Sequence, residues 1–458
     1  MTDALVVVMN SGKPEGAKGS NGLVIKSFTT KIGKMELFKT EELRGKTQPI
    51  TYKQVAEAYR KVRSNGGAAG IDGETLEMLT ERKVDNLYKL WNRMASGSYM
   101  PKGVRGVEIP KQDGTKRLLG IPTVTDRIAQ EVAKAALEPK MESVFHADSY
   151  GYRPNRSAHD AVRKCQQRCY EYRWVIDIDI KGFFDNIDHD LMMQVVSHYT
   201  KEKWLLLYIQ RWLKCSMHLP DGTIQQRSKG TPQGGVISPL LANMFLHVVF
   251  DAWMQRHYAD TQYGSIRWER YADDIIVHCK NENEAKYILN QIKKRMKECK
   301  LELHPDKTKI VYCKQSNRRA KNENVVFTFL GFEFRPERMK GKTGETWVGY
   351  TARISRKAMK HIVTEIKKYN IHRSTGKELS GIAQRLDSQL RGWIQYFSKF
   401  RPSALQEVFS VLNDRLVHWY TNKYKRYRRR KKLAREKLKE ICKDFPNLFV
   451  HWQYGYTP

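Results

Sequence analysis

The chain has 458 residues, 82 Lys and Arg against 49 Asp and Glu, a formal charge of +33 and an isoelectric point near 9.8. Folding does not need such an excess and self-repulsion opposes it, so a polyanionic partner, above all nucleic acid, is the economical explanation, with a merely basic or ribosomal-type protein as the alternative. The seven cysteines are irregularly spaced without a Cys-x-x-Cys pair, which supports neither a disulfide framework nor a zinc site and fits reduced thiols in a cytoplasmic protein; no stretch is long and apolar enough to span a bilayer.

Residues 1–48 are Gly-, Ser- and Lys-rich, weakly periodic, and read as a mobile arm. From Thr51 the recurrence of Val55, Ala58, Tyr59 and Val62 predicts a helix, which ends in the glycine-rich run Asn65–Gly73; that loop could cradle a phosphate or be a plain connection. Residues 106–122 predict a β-hairpin with its turn at Asp113-Gly114 and with Lys111, Lys116 and Arg117 near the tip. A helix follows from Thr125 to about Leu137. Trp174–Ile180 alternates: Trp174, Ile176, Ile178 and Ile180 face one way, and Val175, Asp177 and Asp179 the other.

Asp188 is placed to cap a helix carrying Leu191, Met192 and Val195, and Pro239 to about Trp253 reads as a buried helix. The apolar-rich run Ile266–Tyr271, then the adjacent carboxylates Asp273-Asp274, then the apolar run Ile275–Val277 reads as strand, tight turn, strand. Lys286–Cys299 predicts an amphipathic helix, Lys309–Tyr312 a strand and Val325–Phe334 one further strand. After Gly349 the pattern becomes helical, with Leu386, Leu390, Trp393 and Ile394 on one face. Lys423–Lys443 holds twelve Lys or Arg against two Glu, beside Trp419, Tyr420, Tyr424 and Tyr427; charge with aromatic rings suits backbone tracking and base stacking, and a solvated basic helix is the plain alternative.

Adjacent carboxylates at Asp273-Asp274 repel one another unless a cation binds them. Asp179, at the end of a strand, is the natural third ligand, and Ile180 could add its backbone carbonyl. Hard oxygen donors without a nearby histidine point to Mg²⁺, and a metal pair suits in-line phosphoryl transfer. Without a metal, such an aspartate would cap a turn.

Taken together and in order, these motifs make the chain resemble the bacterial group II intron-encoded reverse transcriptases, also called maturases, from about Gln54 to Trp419. Asn65–Asp72, Val107–Lys111 with Arg117 and Gly120–Pro122, and Ser149–Pro154 are similar to the early blocks. Asp179–His189 resembles motif A, Gly230–Pro239 motif B, Tyr271–Asp274 motif C and His304–Thr308 motif D; Phe329–Phe332 resembles the last palm block and Arg391–Phe397 the thumb signature.

The resemblance implies an α+β right-hand polymerase fold: fingers at about 51–170 and part of 207–245, a palm with an antiparallel sheet at 171–206 and 246–335, a helical thumb at 350–420, and a basic DNA-binding tail at 421–458. It implies that Asp179, Asp273 and Asp274, with Ile180, hold two Mg²⁺, for which Mn²⁺ could substitute. Lys111 and Arg117 would clamp the triphosphate, Gln233 would line the nucleotide pocket, and Phe184 would exclude the ribose 2′-hydroxyl or simply pack in the core. Lys307 would protonate the leaving pyrophosphate. Arg391, Trp393, Tyr424, Arg428, Arg429 and Arg430 would contact nucleic acid. Asp177 matches no ligand of the family.

The implied partners are a group II intron RNA, an RNA template with a DNA primer, a DNA target and dNTPs, in the bacterial cytoplasm and away from membrane. With Cys442 alone near Pro458, the branch without a C-terminal endonuclease is implied, which would take its primer from elsewhere. Two other readings stay open: a domesticated relative used in repair or defence, and an RNA-binding splicing factor without polymerase activity.

Overall fold

The computed structural model describes residues 48–110, 116–259, 266–316, 324–341 and 343–458. The arm expected at 1–48 lies outside the described residues except for Gln48, and so do Lys111 and the expected Asp113-Gly114 turn.

The first helix, α1 (Tyr52–Asn65), starts at a reciprocal cap between Thr51 and Gln54 and buries the four expected residues, Val55, Ala58, Tyr59 and Val62. It packs with α2 (Leu76–Glu81), α3 (Lys83–Ala95) and α4 (Val124–Glu142). The last runs past its expected end at Leu137 and contains Pro139. Beside these helices β1 (Val104–Pro110) and β2 (Lys116–Ile121) form the expected antiparallel hairpin, and β4 (Met217–His218) and β5 (Ile224–Gln225) extend it into a sheet of order β2-β1-β4-β5. Helix α5 (Ala158–Glu171) leads to the second sheet.

That sheet contains β3 (Trp174–Ile178), β6 (Arg267–Tyr271), β7 (Asp274–Cys279) and β8 (Lys309–Tyr312), in the order β6-β7-β3-β8 with every pair antiparallel. The strand period of two divides it cleanly. Trp174, Ile176, Ile178, Ile275, Val277 and Tyr312 enter one core together with α6 (His189–Tyr199), α7 (Lys203–Leu213), α8 (Ser238–Leu246) and α9 (Glu282–Glu298). Val175, Ile276 and Val311 enter a second core with α5 and the C-terminal third. The aspartates of β3 and β7 share this second face.

Two expectations are corrected in the C-terminal third. Val325–Phe334 is not one strand: β9 (Phe327–Phe329) and β10 (Phe332–Lys340) form a hairpin, because Leu330 and Gly331 both take positive φ, 51° and 81°. The expected domain boundary at 335 therefore falls inside β10. The stretch after Gly349 is not yet helical, since β11 (Thr346–Ile354) pairs along the whole of β10 before α10 (Arg356–Lys368) begins at the Ser355 cap.

Helices α11 (Leu379–Phe397), α12 (Gln406–Lys423), α13 (Lys431–Asp444) and α14 (Val450–Gln453) complete a right-hand α+β fold. Residues 421–458, the expected basic tail, contribute to the second core. Ala434, Leu438, Cys442, Phe449, Val450, Trp452 and Tyr456 are buried in the same core as Leu386, Leu390 and Ile394 of α11.

Candidate active site

The strand register brings the motifs together. β3 pairs with β7 as Asp177↔Ile276 and Ile178↔Ile275. The ladder ends there, directly before Asp179 on β3 and directly after Asp274 on β7, and Asp179 is close enough to act electrostatically on both Asp273 and Asp274. Residues opposite one another share a face, so Asp177, Asp179 and Asp274 project together from the end of the sheet. On the other side of β3, the Lys181 amide donates to the Glu302 carbonyl (2.8 Å) and the His304 amide to the Asp179 carbonyl (2.8 Å), with Ile180 bridged to Leu303. In that pattern the Ile180 carbonyl turns away from Leu303.

The turn between Tyr271 and Asp274 is held under strain. Ala272 has φ 55°, a left-handed conformation that costs a non-glycine residue roughly 1–2 kcal/mol. Behind it Arg270, fully buried, donates to Asp251 (2.5–3.0 Å), to Asn243 Oδ1 (2.8 Å) and to the Ala272 carbonyl (3.1 Å). Burial alone would raise the Asp251 carboxyl; the charge and hydrogen bonds of Arg270 overcome it and hold it below the ordinary value. Asp251 comes from a wide helical turn, His247–Asp251, that continues α8. Gly151 lies against the turn so closely that a Cβ would stand 2.4 Å from the Ala272 nitrogen. Arg270, Asp251 and Asn243 were missed by sequence reasoning: β6 reads Arg-Trp-Glu-Arg-Tyr, and nothing in that run singles out Arg270 from Arg267 or Glu269.

The electrostatics of the cluster fit a cation. Asp274 is an exposed residue, yet protein crowds its carboxyl; that desolvation, then Asp273 and Asp179, push it up to about 7. Burial also raises Asp273, with Asp179 adding to the rise and Arg117 opposing it. Asp177, which matched no family ligand, is pushed up to about 7 by burial and by Asp274 and Asp179, against the pull of Lys309 at 3.9 Å. This is a set of hard oxygens whose negative charge the protein leaves under-compensated. Among the described residues, three ligand atoms within 4.8 Å of one another occur at Cys165, Glu269 and His278 and not at the aspartates, so the aspartates are spread more widely than a single-ion cage. At Glu269 both oxygens are already engaged, by Arg168 and by His278 Nε2, which makes that trio a buried ion network.

The other expected residues divide. Lys307 Nζ lies 3.5 Å from Asp179 Oδ2. Arg117 Nε donates to Gln233 Oε1, and Gln233 Nε2 donates to Asp185 (3.3 Å), a residue not anticipated. Gly234, at φ 123°, leaves no room for a Cβ, which would stand 2.8 Å from the Gly120 carbonyl. Phe184 is 7 % exposed and packs edge-on against Phe183, the core placement named as its alternative. On α11, Arg391 is exposed while Trp393 packs partly into the second core, so the two do not share a surface.

Arg428, Arg429 and Arg430 are exposed before α13, and Tyr424 keeps 36 % exposure against Tyr420. Trp419, expected beside the basic run as a stacking ring, is fully buried and donates to the Ser374 carbonyl (2.9 Å). Among the described residues no helix is long and apolar enough to cross a membrane.

Comparison with known sequences places the chain in a family. Residues 109–334 match the family described as reverse transcriptase (RNA-dependent DNA polymerase), and residues 359–437 match the group II intron maturase-specific domain. Protein YkfC of Escherichia coli K12 is 34 % identical over 340 residues, 65 % of this chain and 83 % of YkfC. The group II intron-encoded protein LtrA of Lactococcus lactis is 38 % identical over 193 residues, 42 % of this chain and 32 % of LtrA. The telomerase of Candida albicans superposes with a TM-score of 0.44 at 11 % identity, over 83 % of this chain and 68 % of that one, a likeness too loose to weigh. The chain belongs to the reverse transcriptase family: it is an RNA-directed DNA polymerase with a group II intron maturase domain, dependent on divalent metal and built to bind an RNA template.

Proposed function

We propose that this polymerase adds dNTPs to the 3′-end of a DNA primer on group II intron RNA, using Asp179, Asp273 and Asp274 with two Mg²⁺, and that the same chain assists splicing and mobility of that intron in the bacterial cytoplasm. The observation that supports the reading is that the β3–β7 register ends directly beside Asp179 and Asp274, with burial and mutual repulsion raising the Asp273 and Asp274 carboxyls. When bound, a Mg²⁺ pair lowers the pKa of the primer hydroxyl and neutralises charge on the triphosphate. Asp179, Asp273, Asp274 and the Ile180 carbonyl are the oxygens that would hold it.

The other side chains have positions suited to substrate handling. Arg117, with Lys111, would grip phosphate oxygens, for which a guanidinium is well shaped. Gln233, held between Arg117 and Asp185, would line the base and sugar, and Phe184 would limit the 2′ side. Lys307, beside Asp179, would give its proton to the departing pyrophosphate. Arg391, Trp393, Tyr424 and Arg428–Arg430 would bind the template duplex, intron RNA or DNA target.

Purified protein should extend a DNA primer on an RNA template with Mg²⁺ and dNTPs, and the Asp273→Ala variant should not. Extension by both would remove the metal site from motif C. Absence of extension by folded, RNA-bound wild-type protein would leave a splicing factor that keeps the polymerase fold. The splicing role has separate support in the maturase domain and needs basic surface but no carboxylates, so Asp273→Ala should still accelerate intron splicing.

A further inference from the structure

We infer that Gln130 is a positioning residue of the nucleotide pocket, a buried amide whose hydrogen bonds fix the backbone of the loop that carries Gln233. The inference deepens the proposed function and rests on its reading of Gln233 and Arg117 as nucleotide-binding. Gln130 lies on α4 and is 3 % exposed. Its Oε1 accepts from the Val236 amide (2.7 Å) and from the Ile237 amide (3.4 Å).

Those amides precede α8, where a helix has donors without intrahelical acceptors. The amide of the cap residue can be met by a Glu or Gln at the third helical position. Here the cap residue is Ile237 and the third position is Leu240, which cannot accept, and α8 has no side-chain cap of its own. Ser238 Oγ is occupied with Thr231. Gln130 therefore provides from another helix the oxygen that the loop lacks.

The fit is close. A Cβ at Gly235 would stand 3.2 Å from Gln130 Oε1 and 2.6 Å from Ser238 Oγ, so the loop lies directly on the amide. Three residues before Val236 the same loop presents Gln233. Its carbonyl accepts from the Gly120 amide (2.9 Å), its Oε1 from Arg117, and its Nε2 donates to Asp185 (3.3 Å). The loop is thus fastened on one side to the hairpin strand and on the other to α4. One turn earlier on α4, Arg127 donates to the carbonyls of Gly66 (3.0 Å) and Ala68 (2.7 Å) in the glycine-rich loop. The start of α4 serves as a common anchor for both loops.

The test is steady-state extension with wild type, Gln130→Leu, Gln130→Glu and Gln233→Ala. Gln130→Leu removes the acceptor, and should raise KM for dNTP by roughly tenfold or more while RNA affinity and KM for primer–template stay within about twofold. Gln130→Glu retains the acceptor oxygen and should return KM for dNTP to within about threefold of wild type. An unchanged KM for dNTP in Gln130→Leu, with a raised one in Gln233→Ala, overturns the role of Gln130 and leaves the pocket standing. An unchanged KM in Gln233→Ala overturns the pocket reading and this inference with it. Equal loss in Gln130→Leu and Gln130→Glu overturns the acceptor role. Should Gln130→Leu fail to fold, Gln130→Asn, which draws the oxygen back by one methylene, carries the same test: a raised KM supports the inference and an unchanged one overturns it.

Discussion

The carboxyl of Asp274 is held near 7, above its ordinary 3.8, and this has a consequence for stability. A folded-state pKa above the unfolded one means that the folded chain binds the proton more tightly. The stability it contributes is complete below about 4 and is lost as pH rises through about 7. Without divalent metal, wild-type protein should lose thermal stability across that window. Asp274→Asn should flatten part of the slope and raise the midpoint at neutral pH, while cutting extension by at least about two orders of magnitude. Asp177 titrates in the same window, so some slope should remain. Thermal midpoints measured against pH in chelator test this; a lower midpoint for Asp274→Asn at pH 7.5 contradicts it. Arg270 is the opposite case, a buried charge that is fully paired. Arg270→Met would strand Asp251 and should cost about 3–5 kcal/mol in denaturant unfolding, together with the shape of the Ala272 turn.

At the scale of elements, the second core joins strands of the palm to the last helices. Trp452 of α14 is 3 % exposed, and its Nε1 donates to the buried Asn413 of α12 (3.1 Å). Trp452→Ala should destabilise this unit by about 3–5 kcal/mol, read as an earlier unfolding transition; a loss below about 1 kcal/mol would mean that residues 450–453 are dispensable. Much of the element pattern was legible beforehand. β3, β7 and β8 follow alternation or short apolar runs between turn residues, and α1 follows its 3.6-residue period. The β9–β10 turn was missed: Gly331 is the one turn residue in it, and Leu330, whose positive φ is set by the hairpin, gives no turn signal. The first half of β11 is largely exposed, so its alternation carries little hydrophobic signal. In α13 the period Ala434, Leu438, Cys442 was present but hidden by the surrounding charge.

For the whole molecule, the motifs of the candidate site could be read from sequence, but their supports could not. Asp179, Asp273 and Asp274 are local patterns; Gln130 with Val236, Arg270 with Asp251 and Gln233 with Asp185 join segments 19 to 106 residues apart. The charge of +33 has its own consequence. Phosphate neutralisation releases counterions, so RNA affinity should fall on the order of a thousandfold between about 50 and 200 mM salt. A salt-independent affinity would exclude this surface as the binding face. On the proposed reading copying rests on three carboxylates and RNA binding on distributed basic charge, so the two should separate. The most direct measurement is single-turnover extension of a DNA primer on an RNA template, wild type against Asp274→Asn, with RNA affinity determined for both under the same conditions. The account predicts unchanged RNA affinity and extension abolished in the variant. Extension by Asp274→Asn at close to the wild-type rate would contradict it.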